Sequence, residues 1–221
     1  MLGVVTERRT YGDACGVARA LDAVGERWAL LVVRELLFGP KRYADISRGM
    51  PGMSPNVLSQ RLRELEQSGI VRRYRLGPPA KVNVYELTEK GYDLEPVLCA
   101  LAMWGSREAL DTSAELSVSA LMLAMKTTFD PAIAGPLHAR YELRLDDDLF
   151  DVTIADGHCG IAHGPADHPD VIIDTAPATL RSVVFGGRPL ATAIRSGDLR
   201  VTGDMAAAER FAVTFPRPKP R

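Results

Sequence analysis

The stretch SPNVLSQRLRELEQSGIVRR at residues 54–73 constrains this chain more than any other. Ser54 is a good helix N-cap, and Pro55 suits the first helical position. Leu58, Leu62 and Leu65 recur at i, i+4 and i+7, which on a 3.6-residue period makes one buried stripe. Gly69 stands where a helix C-cap is expected, and an apolar pair then runs into arginines. A helix of this kind must bury its leucines in a small domain. Its other face carries Asn56, Ser59, Gln60 and Arg63. Such a face serves either solubility or the reading of DNA, and the flanking segments decide between the two.

Upstream, VARALDAV (17–24) reads as a short helix. RWALLVVRELLF (27–38) is apolar on more than one side and so central, and Gly39-Pro40 ends it. RYADISR (42–48) is a short amphipathic helix, and GMPGM (49–53) is a loop. Downstream, IVRRYRL (70–76) and KVNVYEL (81–87) flank the turn GPPA and read as a hairpin. Thr88 caps a long helix expected over about 88–109, with Leu94, Val97, Leu98, Leu101, Met103 and Trp104 along it. A short leading helix, then three helices ending in the one that carries Asn, Gln and Arg, then a hairpin and a further helix: this order describes a winged helix-turn-helix.

The chemistry of a groove-reading helix fits. Asn and Gln pair bidentately with adenine, and Arg with guanine. Arg61 lies on the flank of the helix and is expected at a phosphate, as is Arg42 at the start of the preceding helix. Arg72, Arg73, Arg75 and Lys81 place charge on the hairpin for phosphate or minor-groove contact. The DNA-facing set is thus Arg42, Ser54, Asn56, Ser59, Gln60, Arg61, Arg63, Arg72, Arg73, Arg75 and Lys81.

Residues 15–105 resemble the HxlR-type winged helix regulators. The resemblance runs from Cys15 through GERWALLVVRELLFGPKRYADI and SPNVLSQRLRELEQSGIVRR to VYELTEKGYDLEPVLCALAMWG. It implies a homodimer whose terminal helices pack together, which would cover the apolar 94–104 stripe. A two-fold dimer places two recognition helices in successive major grooves, so a pseudo-palindromic double-stranded DNA operator follows. Family members often begin with Cys-Pro, and in some that Cys senses oxidants. Here Cys15 precedes Gly16, with Arg8, Arg9 and Arg19 near in sequence. Cys15 is therefore a redox candidate, set against a plain role as a small side chain near the dimer interface.

After DTSAE (111–115), a short linker, the texture changes. LSVSALMLAMKTTF (116–129) is helical, and ARYELRL (139–145), FDVTIAD (150–156), CGIAHG (159–164) and DVIIDT (170–175) read as strands. Two helices, a strand at 198–204 and a last helix at 206–215 follow, with a PRPKPR tail expected to be disordered. The segment LRSVVFGGRPLATAIRSGDLRVTGDMAAAERFAVTF is similar to the end of sterol carrier protein type two domains. That resemblance implies an antiparallel sheet with helices on one face and an apolar cavity between them. Leu121, Met125, Leu180, Val184, Phe185, Ala191, Ile194, Phe211 and Phe215 are its candidate lining for a small apolar effector. The bland alternative is that they fill the core.

The fold class expected is α+β. A winged helix-turn-helix with a long dimerisation helix occupies 1–110, and a sterol-carrier-like domain occupies 116–221. Charge divides along the same line. Residues 1–110 hold 16 Lys/Arg against 13 Asp/Glu, and residues 111–221 hold 11 against 15. Two domains with different partners give such a split.

Cys15, Cys99 and Cys159 are odd in number and far apart, which is no disulfide framework. His158, Cys159, His163 and His168 match no standard metal spacing and read as turn and sheet-edge surface. The early Glu7, Arg8 and Arg9 argue against a signal peptide, and no apolar run reaches membrane-spanning length, so a cytoplasmic protein without a membrane partner is expected. No nucleophile elbow, P-loop or dinucleotide fingerprint occurs, so neither an enzyme nor a cofactor is implied. The leading reading is a dimeric, sequence-specific transcriptional regulator. Its rival is a lipid or small-molecule carrier whose winged helix only dimerises.

Overall fold

The computed structural model describes residues 10–78, 81–107 and 116–217. The expected linker at 111–115 and the last four residues of the tail lie outside this set. The chain divides into two compact units, Met1–Leu36 with Pro40–Tyr92, and Leu37–Gly39 with Asp93–Arg221.

The first unit contains α1 (Gly16–Val24), α2 (Ala29–Leu36), α3 (Tyr43–Arg48), α4 (Pro55–Gln67), β1 (Val71–Arg75), β2 (Asn83–Leu87) and α5 (Glu89–Tyr92). Strands β1 and β2 pair antiparallel, Val71 opposite Leu87. Lys41 adds an isolated bridge to Tyr85, through a hydrogen bond in each direction. Val32, Val33 and Leu36 of α2, Ile46 of α3, and Leu58, Leu62 and Leu65 of α4 make the core with Ile70, Val84 and Leu87. Each such side chain contributes about 2 kcal/mol on leaving water.

The second unit begins with α6 (Glu95–Gly105) and α7 (Val118–Thr128), which pack on each other. The single helix expected over 88–109 is therefore two helices, α5 and α6. Pro96 is the cause, because a proline has no N–H to bond and its ring clashes with the carbonyl four residues back. Sequence reading assigned 94–104 to the first domain, whereas α6 packs within the second unit.

The unit continues with α8 (Pro131–Ala134), β3 (Ala139–Leu145), β4 (Asp148–Ala155), β5 (His158–His163), β6 (Val171–Thr175), α9 (Pro177–Val184), α10 (Leu190–Arg195), β7 (Leu199–Gly203) and α11 (Met205–Val213). The five strands lie in the order β5-β4-β3-β6-β7. Three of the pairings are antiparallel, as expected, and β3 with β6 is parallel. The reason is the β5–β6 connection, which returns the chain to run beside β3 in β3's own direction. Ala166 N on that connection donates to Glu142 Oε2 of β3 at 3.1 Å.

Tyr141, Leu143, Phe150, Val152, Val171 and Ile173 form the buried face of the sheet; α7, α10 and α11 pack on its strands, and α9 packs on those three helices. The Tyr141 and Phe211 ring centroids lie 4.7 Å apart with the rings tilted by 43°, and Tyr141 Oη donates to Ala207 O at 3.1 Å. Burial pushes the Tyr141 phenol above its ordinary range. The opposite face carries Arg140, which donates to both oxygens of Asp151 at 3.0 and 2.5 Å. No helix among the described residues is long and apolar enough to cross a membrane.

Candidate nucleic-acid interface

Helix α4 begins at Ser54, whose Oγ accepts from Val57 N at 3.4 Å, with Pro55 in its first turn. This bond satisfies one orphan donor of the first turn. Leu58, Leu62 and Leu65 are each 1% exposed, so one side of α4 is committed to the core. The opposite side leaves Asn56, Gln60 and Arg63 exposed. The side chains of Asn56 and Arg63 make no hydrogen bond or ion pair among the described residues, so their side-chain donors face solvent.

Two members of the expected DNA-facing set, Ser59 of the face and Arg61 of the flank, are placed differently. Ser59 is half-buried, and its Oγ donates to Tyr43 Oη at 3.3 Å. Tyr43 Oη in turn donates to Pro55 O at 2.7 Å, tying the start of α3 to the first turn of α4. Ser59 thus helps dock α3 on α4. Arg61 is 7% exposed, with Nη1 lying 2.6 Å from Glu64 Oε2 and 3.3 Å from Glu26 Oε2. Its Nε and Nη1 have no aligned acceptor, so this is an ion pair and not a directed hydrogen bond. A phosphate contact was expected at Arg61. Position 61 lies one residue before Leu62 on the inward side, and the guanidinium is held there by its two carboxylates.

Gln60 Nε2 donates to Glu64 Oε1 at 2.9 Å. Arg42 precedes α3 at the cap position, is exposed, and makes no side-chain capping bond. On the hairpin, Arg72 pairs with Glu86 at 2.9 Å, which balances its charge. Arg73 lies over the Tyr85 ring at 5.7 Å, and Arg75 Nε donates to Lys81 O at 3.3 Å. Lys81 is exposed and adopts φ 47° in the turn. Arg42, Arg73, Arg75 and Lys81 are exposed and carry no carboxylate partner among the described residues.

A buried polar cluster fixes how α2, α3 and the hairpin meet. Glu35 is 0% exposed, and its carboxylate accepts from Arg34 Nη2 at 2.7 Å and Lys41 Nζ at 2.9 Å. Arg34 Nη2 also donates to Gly49 O at 3.2 Å. Sequence reading passed over Glu35, Tyr43, Glu26 and Glu64. Glu35 alone left a signal: one acid inside an apolar helix, flanked by Arg34 and followed by Lys41.

In the second unit, Leu121, Met125, Leu180, Val184, Phe211 and Phe215 are buried core residues. Phe185 is half-buried at the end of α9, and Ala191 is exposed. The chain brings most of the candidate effector residues together, but as packing. Ile194 alone of the nine lines either of two recesses of about 430 and 460 Å³. The larger also takes in Leu199, Val201 and Met205 beside Asp146 and Asp174. His158 and Cys159 occupy successive positions of β5 and so face opposite sides. Burial pushes the Cys159 thiol up to about 12. Cys15 is exposed at the N-cap of α1, where backbone N–H groups of Ala18 and Val17 hold its thiol below the ordinary value.

Residues 23–112 match the model of the HxlR-like helix-turn-helix family. The HTH-type transcriptional regulator YvaP of Bacillus subtilis is 40% identical over 96 residues, covering 43% of this chain and 87% of YvaP. The chain belongs to the HxlR-like helix-turn-helix family of DNA-binding transcriptional regulators. A second relative of this HxlR-like regulator, YkvN of Bacillus subtilis, is 40% identical over 104 residues, covering 46% of this chain and 86% of YkvN. The regulator Mb3122 of Mycobacterium bovis is 40% identical over 97 residues, which span 44% of this chain and 60% of Mb3122. Among solved structures, quinone-bound YodB from B. subtilis is 35% identical, covers 42% of this chain and 97% of its own, and superposes with a TM-score of 0.36. The HxlR-like match ends before the sheet. Residues 120–216 match the SCP-2 sterol transfer family, so this regulator carries an SCP2 domain behind its winged helix.

Proposed function

We propose that this regulator works as a homodimer in the cytoplasm and binds a pseudo-palindromic operator, with one α4 in each of two successive major grooves. The observation that carries the reading is the division of α4. Leu58, Leu62 and Leu65 are buried, while Asn56, Gln60 and Arg63 stand exposed on the other side. Asn56 and Gln60 address adenine, and Arg63 addresses guanine. Arg42 and the hairpin cations Arg73, Arg75 and Lys81 contact phosphate and set position without reading sequence.

The dimer is supported by α6. Val97, Leu101 and Trp104 recur at i, i+4 and i+7 and are exposed, Trp104 by 66%. An apolar stripe of this kind on a surface helix is covered by a partner, and a second copy offers the same stripe. The SCP2 domain takes the role of effector domain for a small apolar ligand, which its match to a sterol transfer family supports. Its interior is filled by packed side chains, so a ligand must part the helices from the sheet. Binding then favours one of two states and shifts the dimer. Cys15 adds a redox input, supported by its exposure and lowered thiol pKa.

A gel-shift titration against the DNA upstream of the regulator's own gene, beside a scrambled fragment of equal length, tests the reading. Run at two salt concentrations, retardation of the native fragment is expected to survive the higher salt while that of the scrambled fragment does not. Equal retardation of both fragments sinks sequence-specific reading and turns attention to a carrier role for the SCP2 domain.

A further inference from the structure

We propose that Glu64 is a specificity-determining residue of α4, acting through Gln60 by setting which end of its amide leads toward the bases. The proposal rests on the reading of α4 as the helix that enters the major groove. Gln60 Nε2 donates to Glu64 Oε1 at 2.9 Å, one turn along the helix. A carboxylate only accepts, so the amide has one orientation at this contact, with Nε2 toward Glu64 and Oε1 away from it. Gln60 is exposed, and its Oε1 accepts no hydrogen bond among the described residues.

The carboxylate is itself held. Its second oxygen lies 2.6 Å from Arg61 Nη1, and Arg61 is buried and engaged from behind by Glu26 at 3.3 Å. A lone Glu beside the phosphates of DNA would repel them. Here Arg61, which it shares with Glu26, offsets part of that charge from the interior side of the helix. The row Glu26, Arg61, Glu64, Gln60 therefore carries order from the buried flank of α4 to the side presented to DNA.

The consequence is chemical. With one Nε2 hydrogen engaged, Gln60 leads with an acceptor. An acceptor meets the exocyclic amine of adenine or cytosine and is repelled by O6 of guanine and O4 of thymine. The remaining Nε2 hydrogen completes the bidentate pair with adenine N7. A Gln free to rotate would instead donate to O6 or O4. Glu64 thus excludes two bases without touching any.

The test is selection from a pool of randomised duplex DNA with the full chain, followed by sequencing, for the wild type, Gln60→Ala, Glu64→Ala and Glu64→Gln. Thermal melting of each protein accompanies it. Gln60→Ala marks the base position concerned by losing preference there. Glu64→Ala is expected to lose discrimination against guanine and thymine at that position by about threefold to tenfold. Other positions and the salt dependence stay as in the wild type. Glu64→Gln, which keeps an acceptor for Gln60, restores part of the preference. If Glu64→Ala does not fold, Glu64→Met keeps the helical stem without an acceptor and should show the same selective loss. Wild-type preference retained in Glu64→Ala overturns the proposal, and so does an equal loss at every position. A wild type that enriches no sequence overturns the reading of α4 itself, and the proposal with it.

Discussion

Gly49 approaches Glu35 so closely that a Cβ on residue 49 would lie 2.3 Å from Glu35 Oε2. The glycine has φ −71°, so backbone freedom is not the reason for it. Space is the reason. The carboxylate sits there because Arg34 and Lys41 hold it, and it is fully buried. Gly49→Ala is expected to push Glu35 off one of its cations and to cost about 1–3 kcal/mol. Glu35→Ala leaves Arg34 and Lys41 without their anion and should cost more, about 3–5 kcal/mol. Urea unfolding followed by circular dichroism measures both. A Gly49→Ala midpoint equal to wild type would show that the cluster yields freely.

Arg63 and Arg73 separate reading from holding. Arg63→Ala should cost about 1–3 kcal/mol on the operator and relax preference at one base. Arg73→Ala should weaken all duplexes alike and flatten the slope of log K against log salt by about 0.9. Titrations on specific and scrambled DNA at several salt concentrations resolve the two patterns. Equal loss on both duplexes for Arg63→Ala would remove α4 from the groove.

The exposed stripe of α6 makes a prediction about assembly. Leu101→Asp places a charge between Val97 and Trp104, which a dimer interface must desolvate. Sedimentation velocity should then show a monomer where the wild type is a dimer, with operator affinity falling by at least tenfold as the two half-sites are uncoupled. An unchanged sedimentation coefficient moves the dimer interface elsewhere.

The cysteines should alkylate in a fixed order. The Cys15 thiol is lowered by backbone N–H groups, so its thiolate fraction at neutral pH exceeds that of a free cysteine peptide. As pH falls, its labelling by iodoacetamide persists to lower pH than the peptide's. Cys159, pushed up to about 12 by burial, should label only after unfolding. Peptide mapping by mass spectrometry follows both. Cys15 labelling no faster than the peptide would end the case for a redox input.

Periodicity carried the reading of α4 a long way, because Leu58, Leu62 and Leu65 obey a rule that depends only on spacing. The strand ARYELRL was legible for the same reason, since alternation at a two-residue period marks one buried face. Arg61 was not legible. Its neighbours make it look like a flank residue, and only the loop after α1, arriving with Glu26, turns it inward. Ser59 likewise needed Tyr43, sixteen residues upstream, to show that its hydroxyl is taken. The parallel pairing of β3 with β6 is set by the seven-residue connection 164–170, with no pattern of its own, so no local rule announces it. Pro96 was the exception, a local signal that an apolar stripe had masked.

The position of β3 has a consequence for the order in which the chain can be built. β3 lies at the centre of its sheet, between β4, which follows it directly, and β6, which is made about thirty residues later. β6 then waits for β7, and the ring of Tyr141 waits for Phe211. On a ribosome the winged helix, which ends at Tyr92, is synthesised before any strand of the five-stranded sheet. The inner edge of β3 must stay unpaired until β6 is out, and the Tyr141 face uncovered until α11 is out, so this is the interval of synthesis most open to wrong partners.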